Sequence, residues 1–385
     1  MTEIIHGRRV FVAEENLLLK WWKSIDQWTL ISSLILILVG LLLSMAASVP
    51  LAESHEKPPF YYVYRQLIYG LLSCGLVLFL SIKSISFIRR FSVVGFFVAI
   101  SALILLPFFG TDFGKGAIRW FSFDLVTIQP SEFLKPFFIV FIAWIISGNQ
   151  KNSPKVGFAI SFITLVLCVF SLIIQPDLGQ TVLIVSSWAV IHFVIGISIL
   201  FSIFFVLFLF CIGAIFFYHS EHVADRLINF FKAMEPTSQI GFVEKAIQSG
   251  GFLGVGAGNG KIKWSLADAH TDFIIAVAIE EFGLILFLLI LSIFLVILFR
   301  SVGRLINQED PFLSLSGIGL LCLLEFQAII NLGVAARLLP TKGMTLPFIS
   351  YGGSSMIATG ILVGLLINIT KKRTNNDVDS FLGGK

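Results

Sequence analysis

Long uninterrupted runs of apolar residues dominate the chain, separated by short stretches that collect its glycines, prolines and charges. A helix needs about 20 apolar residues to cross a hydrocarbon core of roughly 30 Å. Ten such runs occur, near residues 28–48, 63–82, 91–109, 131–147, 156–174, 179–196, 198–217, 272–299, 312–335 and 352–370. The sixth and seventh are nearly continuous and need a tight turn around Gly196. The runs are continuous rather than alternating, which excludes a transmembrane β-barrel. The pattern predicts an all-α polytopic integral membrane protein with about ten transmembrane helices. Residues 1–27 form an N-terminal segment, 28–370 the membrane domain and 371–385 a C-terminal tail, with one long polar loop, 218–271, between the seventh and eighth helices.

Composition sharpens this picture. Of 385 residues, 57% are hydrophobic and 13% charged, against about 25% charged in a soluble protein. This excludes a disordered chain and argues strongly against an ordinary soluble enzyme. The net charge of +4 comes without a polybasic tail, so nothing points to nucleic acid. Cys74, Cys168, Cys211 and Cys322 all lie in apolar runs and read as packing residues. The first 26 residues carry Arg8, Arg9, Lys20 and Lys23 and no apolar core, unlike a cleavable signal peptide.

Lys and Arg favour the cytoplasmic side of a membrane. With the N-terminus inside, fifteen lie in inside segments and eleven outside, five of the latter in the single loop 218–271. Both termini are therefore expected to be cytoplasmic, and the long loop outside.

Charges within or beside spans mark function by default. Glu132 and Lys135 follow Pro130-Ser131 at a helix start and, at i and i+3, can pair. They read as a structural ion pair or as a cation facing an outside cavity. Asp177, in Pro176-Asp177-Leu178-Gly179-Gln180, reads as a turn with a capping carboxylate. The glycine-rich segment from Ser249 to Gly260 lacks a surrounding βαβ unit and is no dinucleotide site. Its backbone N–H groups could cradle a phosphate, or the segment is a re-entry loop. Asp272, after His270-Thr271, opens the eighth span, where Thr271 or Asp272 is expected to cap the first turn. Glu280 and Glu281 lie deep in that run and read as structural, needing a partner or a proton. His219, His222 and His270 could bind zinc, though no carboxylate sits at metal spacing among them. Leu339 to Gly343 and Ser350 to Ser355 are polar and glycine-rich, which at such depth suggests a polar cleft or a buried re-entrant turn.

Taken together, these segments resemble the SEDS family of bacterial cell-wall proteins. The resemblance runs through Arg65-Gln66, Gly116-Ala117 with Arg119-Trp120, Gln129 to Lys135, Pro176 to Gly179, Ser249 to Gly258, His270 to Gly283 and Asn331 to Ser355. Pro340-Thr341-Lys342-Gly343 is similar to the FtsW-like division branch rather than the RodA-like elongation branch. Departures include Leu266-Ala267-Asp268-Ala269 where the family often has Leu-Pro-Glu-Ala, Ile275 for a usual Phe, Arg337 where Gly is common, and Ser238 before Gln239 in place of Tyr.

The resemblance implies a peptidoglycan glycosyltransferase that polymerises lipid II during septal wall synthesis. It places the catalytic acid at Asp272, as general base on the acceptor 4-hydroxyl, with undecaprenyl pyrophosphate as the leaving group. One acid suffices because pyrophosphate leaves as a stable anion, unlike the poor leaving groups of glycosidases. A helix N-terminus would keep that carboxylate ionised while lowering its basicity. Substrate contacts are expected from Arg119, Glu132, Lys135, Gln239, Lys342, Ser350, Gly352 and Gly353. Arg337, Lys261 and Lys263 are further cations for the pyrophosphate. No cofactor is certain, and a divalent ion (Mg or Mn) with unassigned ligands is admitted. The implied partners are lipid II, a class B penicillin-binding protein, other divisome proteins and membrane lipid, at the septal cytoplasmic membrane. Competing readings are a lipid II flippase, a RodA-like elongation polymerase and a non-catalytic divisome scaffold.

Overall fold

The computed structural model describes residues 2–5, 8–11, 17–111, 118–123, 126–150, 152–196, 207, 239–266, 268–336, 338–339 and 343–373. A short hairpin, β1 (Thr2–Ile5) and β2 (Arg8–Phe11), precedes the helices α1 (Leu17–Ser24), α2 (Gln27–Ala47), α3 (Val49–Ser54), α4 (Tyr61–Ile82) and α5 (Ile85–Phe109). A second antiparallel hairpin, β3 (Phe121–Phe123) and β4 (Val126–Ile128), leads into α6 (Pro130–Asn149), α7 (Pro154–Ile174) and α8 (Leu178–Val194). Within the long loop lie α9 (Gln239–Gly250) and a 3-10 turn at Ile262–Trp264, and after it come α10 (Ile274–Leu305), α11 (Pro311–Ala335) and α12 (Gly353–Ile369).

Nine of the ten expected spans are these apolar helices. The seventh, 198–217, lies outside the described residues except for residue 207. Among the described residues, seven helices are long and apolar enough to cross a membrane, and α8 and α12 are shorter apolar helices of 17 residues. Local chemistry sets their starts. Ser84 accepts from Phe87 N at 3.3 Å, Asp177 from Gln180 N at 3.3 Å and Asp310 from Phe312 N at 2.8 Å, as helix N-caps do. Proline stands at the start of α6, α7 and α11, where its missing N–H costs nothing.

The bundle is organised around α6, α11 and α12, whose side chains are mostly buried. α12 lies tight along α4: a Cβ at Gly360 would stand 2.3 Å from Ser73 Oγ, and Ser73 Oγ donates to Met356 O at 2.9 Å. Asn368 Nδ2 closes the far end of this pair on Leu80 O and Lys83 O, both at 2.7 Å. Phe96 stacks on Phe141 at 4.5 Å between α5 and α6. Large apolar side chains such as Phe97, Val98, Ile163, Phe170 and Phe299 remain exposed on the outer helices, the surface that lipid covers. Where α1 meets the residues that follow α12, Arg304 donates to Ser24 O, Ile25 O and Thr370 O, and Asp26 sits between Arg300 and Arg304 at 3.2 and 3.6 Å. Cys168 is buried and Cys74 and Cys322 half-buried, all three as free thiols.

The eighth span departs from a single straight helix. α10 has 32 residues, about 48 Å at roughly 1.5 Å per residue, too long for a core of about 30 Å. Gly283, at φ 76° and ψ −177°, breaks it. Every residue from Ile274 to Glu281 is buried, whereas Leu284, Ile285, Leu288 and Leu289 are exposed. The lipid-facing portion therefore begins after the break, and residues 274–282 form a separate short helix inside the protein.

Candidate active site

Asp272 lies at the mouth of this short helix, on a turn rather than in its first turn. Thr271 N and Phe273 N both donate to Asp268 O, at 3.2 and 3.3 Å. The helix therefore starts at Ile274, two residues after the expected start of the span at 272. Phe273 is the N-cap residue, and no side chain caps it, so the expected capping by Thr271 or Asp272 does not occur. Asp272 is half-buried. Its carbonyl accepts from Asn331 Nδ2 at 3.3 Å, and the same amide donates to Met344 O at 2.6 Å. A Cβ at Gly343, φ +63°, would stand 3.4 Å from Asp272 Oδ2, so the carboxylate lies directly against that glycine. Asp272, Phe273, Ile330, Asn331, Val334, Gly343 and Met344 line one small pocket.

The segment from Gly343 to Gly352 is laced to its surroundings. Ser350 Oγ donates to Thr271 O at 2.6 Å and accepts from Leu346 N at 2.8 Å, while Tyr351 N donates to His270 O at 2.9 Å. Phe348 adopts φ 63°, and its carbonyl abuts Gly40 of α2. The Tyr351 ring meets His270 at 5.8 Å and Tyr62 edge-on at 5.4 Å. Burial raises its phenol above the ordinary range, against the pull of Arg65. Gly352 precedes α12 in extended backbone, and Gly353 lets Tyr69 pack where a Cβ would stand 2.6 Å from its ring.

Glu132 and Lys135 form the expected ion pair, at 2.8 Å, and both are buried. The pair sits inside the bundle rather than on an open wall. Glu132 Oε1 accepts from Gln180 Nε2 at 2.6 Å. Lys135 Nζ also donates to Gln327 Oε1 at 3.1 Å, and Gln327 Nε2 donates to Thr345 O at 3.0 Å. Thr345 Oγ1 in turn meets Ser355 Oγ at 2.6 Å. A continuous polar chain thus links α8, α6 and α11 to the segment facing Asp272.

Arg119 closes the end of α7, donating to Gln175 O at 3.0 Å and Pro176 O at 2.6 Å. Asp177 beside it is buried, and burial pushes its carboxyl above the usual range against the pull of Arg119 and of the Gln180 N–H. Gln239 opens α9 and is exposed. Lys342, Arg337, His219 and His222 lie outside the described residues.

The glycine-rich segment holds anions, but they are the protein's own. Gly258 N donates to Glu281 Oε2 at 2.8 Å, and Lys261 N and Ile262 N donate to Glu280 Oε1 at 2.7 and 3.0 Å. Lys263 Nζ pairs with Glu281 Oε1 at 2.7 Å. The backbone N–H groups that could have cradled a phosphate are taken by carboxylates, and Lys263 is buried in an ion pair rather than presented to a substrate. Among the described residues, no three His, Cys, Asp or Glu side chains converge as a metal cage.

Gln327, Asn331 and Gln180 escape a reading of the sequence that searches for charges. The available signal was two amides spaced i, i+4 on an apolar helix, Gln327 and Asn331, which share one face.

Comparisons with known proteins agree with this architecture. Residues 27–375 match the family described as cell cycle protein, FTSW_RODA_SPOVE. A probable peptidoglycan glycosyltransferase FtsW of Caulobacter vibrioides is 37% identical over 356 residues, covering 92% of this chain and 91% of that protein. Stage V sporulation protein E of Bacillus subtilis is 30% identical over 371 residues, covering 90% and 97%. Among solved structures, a chain of a peptidoglycan synthase complex superposes with a TM-score of 0.74 at 24% identity, covering 91% of this chain and 98% of that one. The rod shape determining protein RodA of Thermus thermophilus gives 0.66 at 23%, covering 91% and 97%. These two likenesses bear on the fold.

Proposed function

The chain belongs to the FtsW/RodA/SpoVE family of cell cycle proteins, and from that premise we propose that it is a membrane peptidoglycan glycosyltransferase that polymerises lipid II during septal wall synthesis. Its relatives named as probable peptidoglycan glycosyltransferases support the reaction class. The observation that carries the site is Asp272, whose carboxylate faces Gly343 on a turn tied down through Asn331, Ser350 and Tyr351.

In this reading the acceptor sugar's 4-hydroxyl oxygen bonds to C1 of the donor sugar. The C1–O bond to pyrophosphate breaks, and undecaprenyl pyrophosphate departs with the bonding pair. The hydroxyl proton passes to Asp272, a step worth about 10²–10⁴-fold for a positioned base. Positive charge at the leaving pyrophosphate lowers the barrier. Lys342, the residue before Gly343, and Arg119 supply it. Lys135 acts from inside the bundle, holding Thr345 through Gln327 while Glu132 balances its charge. Ser350, Gly352 and Gly353 keep the loop against the His270–Asp272 turn, and Gln239 contacts substrate at the start of α9. A divalent ion, Mg or Mn, belongs to the same expectation, but no cage for one forms among the described residues, and no step here depends on it.

Function in the septum requires Asp272 to face outside, with both termini cytoplasmic. A class B penicillin-binding protein, working with other divisome proteins, would then cross-link the strands. The test is polymerisation of fluorescent lipid II by the purified protein together with its class B partner. A glycan ladder from the wild type that disappears in folded, partner-bound Asp272→Asn supports the reading. A ladder that survives the substitution moves the base elsewhere. Absence of any ladder, followed by lipid II translocation in vesicles, would replace the polymerase with a transporter.

A further inference from the structure

We infer that Glu280 and Glu281 are positioning residues for Asp272, acting through the short helix 274–282. The inference rests on the reading of Asp272 as the base.

The argument begins with the break at Gly283. In an unbroken helix Leu284 N and Ile285 N would donate to the carbonyls of Glu280 and Glu281. Here those carbonyls accept instead from Val255 N at 2.9 Å and Gly256 N at 3.0 Å, while Leu284 N and Ile285 N donate to Gly251 O at 3.0 Å and Phe252 O at 3.4 Å. The glycine segment is thus wedged into the helix, and it takes over the hydrogen bonds on both sides of the gap. The fit is backbone on backbone. A Cβ at Gly283 would stand 2.2 Å from Phe252 O, and one at Gly254 2.3 Å from Glu281 O.

The two side chains lock the wedge. Glu280 and Glu281 are 2% and 1% exposed, and between them they take three backbone N–H groups and the Lys263 ammonium. Burying two adjacent carboxylates is costly, and apolar residues of the same size would fill the space at no such cost. What the carboxylates supply, and apolar residues cannot, is a fixed set of directed bonds from the helix to residues 258–263. The helix itself is encased, with Ile274 to Ala278 at 0% exposure. A rigid body of two and a half turns therefore carries Asp272 before its first residue and the lock at its last turn. Movement of the glycine segment is movement of Asp272. A misplacement of about 1 Å can cost roughly 10²-fold in rate.

The test combines kinetics with amide hydrogen exchange on the full-length protein bound to its class B partner. Glu281→Gln is expected to lower kcat for lipid II polymerisation 10- to 100-fold. KM should stay within about twofold. Exchange should quicken at least tenfold in residues 255–263 and also in 270–276. Glu281→Gln/Lys263→Gln removes both charges and is expected to recover at least fivefold of the lost rate. It is read alone if the single variant does not fold. Trp188→Phe, which loosens the bundle at its Ser161 hydrogen bond (2.7 Å) between α8 and α7, is the stability control and should keep wild-type kcat. Wild-type kcat in folded Glu281→Gln, or faster exchange confined to 255–263, would overturn the inference and leave Asp272 as the base. A wild-type rate in Asp272→Asn would overturn the base itself.

Discussion

The Gln327 amide joins the buried Lys135 ammonium to the segment that faces Asp272, accepting from Lys135 Nζ at 3.1 Å and donating to Thr345 O at 3.0 Å. An intramembrane ion pair is thereby connected to the site without being part of its surface. Removing one partner of a buried pair leaves an uncompensated charge and costs about 3–5 kcal/mol. Lys135→Met is therefore expected to lower stability by that amount in a denaturant titration, and Glu132→Gln/Lys135→Met by clearly less. Equal losses in the two variants would mean that the charges are not coupled.

Asn331 ties Asp272 O to Met344 O through one amide nitrogen. Asn331→Leu keeps the volume and removes both bonds. The expected result is a fall in kcat of about 10- to 100-fold with little change in KM, because the turn and the facing loop lose their common anchor. Steady-state lipid II polymerisation measures it, and a change in KM alone would contradict it.

Glycines in α10 are predicted to differ sharply. Gly283 has positive φ and meets Phe252 O, so Gly283→Ala is expected to abolish folding, seen as loss of monodisperse protein after extraction. Gly303 is exposed, helical and open to a Cβ. Gly303→Ala should stabilise by about 0.4–1 kcal/mol, by restricting the unfolded chain. A destabilised Gly303→Ala would count against the open space found there.

Asp177 gives the pH dependence. Burial raises its folded-state pKa above that of the unfolded chain, so the folded protein binds the proton more tightly. Stability from this group is greatest below the ordinary carboxylate pKa, falls as pH rises through the window up to the raised value, and is then level. Asp177→Asn should match the wild type at low pH and gain on it as pH rises through that window. Melting temperatures across the acid range give the comparison, and a gap that narrows with rising pH would reverse the sign.

Much of this protein was legible in its sequence because a membrane simplifies the code. Backbone polar groups must be satisfied within each span, so an apolar run of the right length is already a helix, and nine of the ten predicted runs coincide with α2, α4–α8 and α10–α12. The Glu132–Lys135 pair and the Asp177 cap were legible for the same reason, since helical spacing and a helix start are local properties. The resemblance singled out Asp272 by its motif.

What the sequence left open was settled by contacts between residues far apart along the chain. Nothing local says that the glycine segment cradles Glu280 and Glu281 rather than a phosphate; that depends on a loop meeting a helix some 20 residues later. The division of the eighth span at Gly283 is equally non-local, because a helix tolerates such a break only when another segment supplies the missing hydrogen bonds. Gln327 and Asn331 look like ordinary polar residues until α11 is placed against α6 and the Gly343–Gly352 segment. Hydropathy and spacing therefore fix which segments become helices. Which polar groups satisfy one another is decided only when those helices pack, because an unpaired polar group is costly there wherever its partner lies in the sequence.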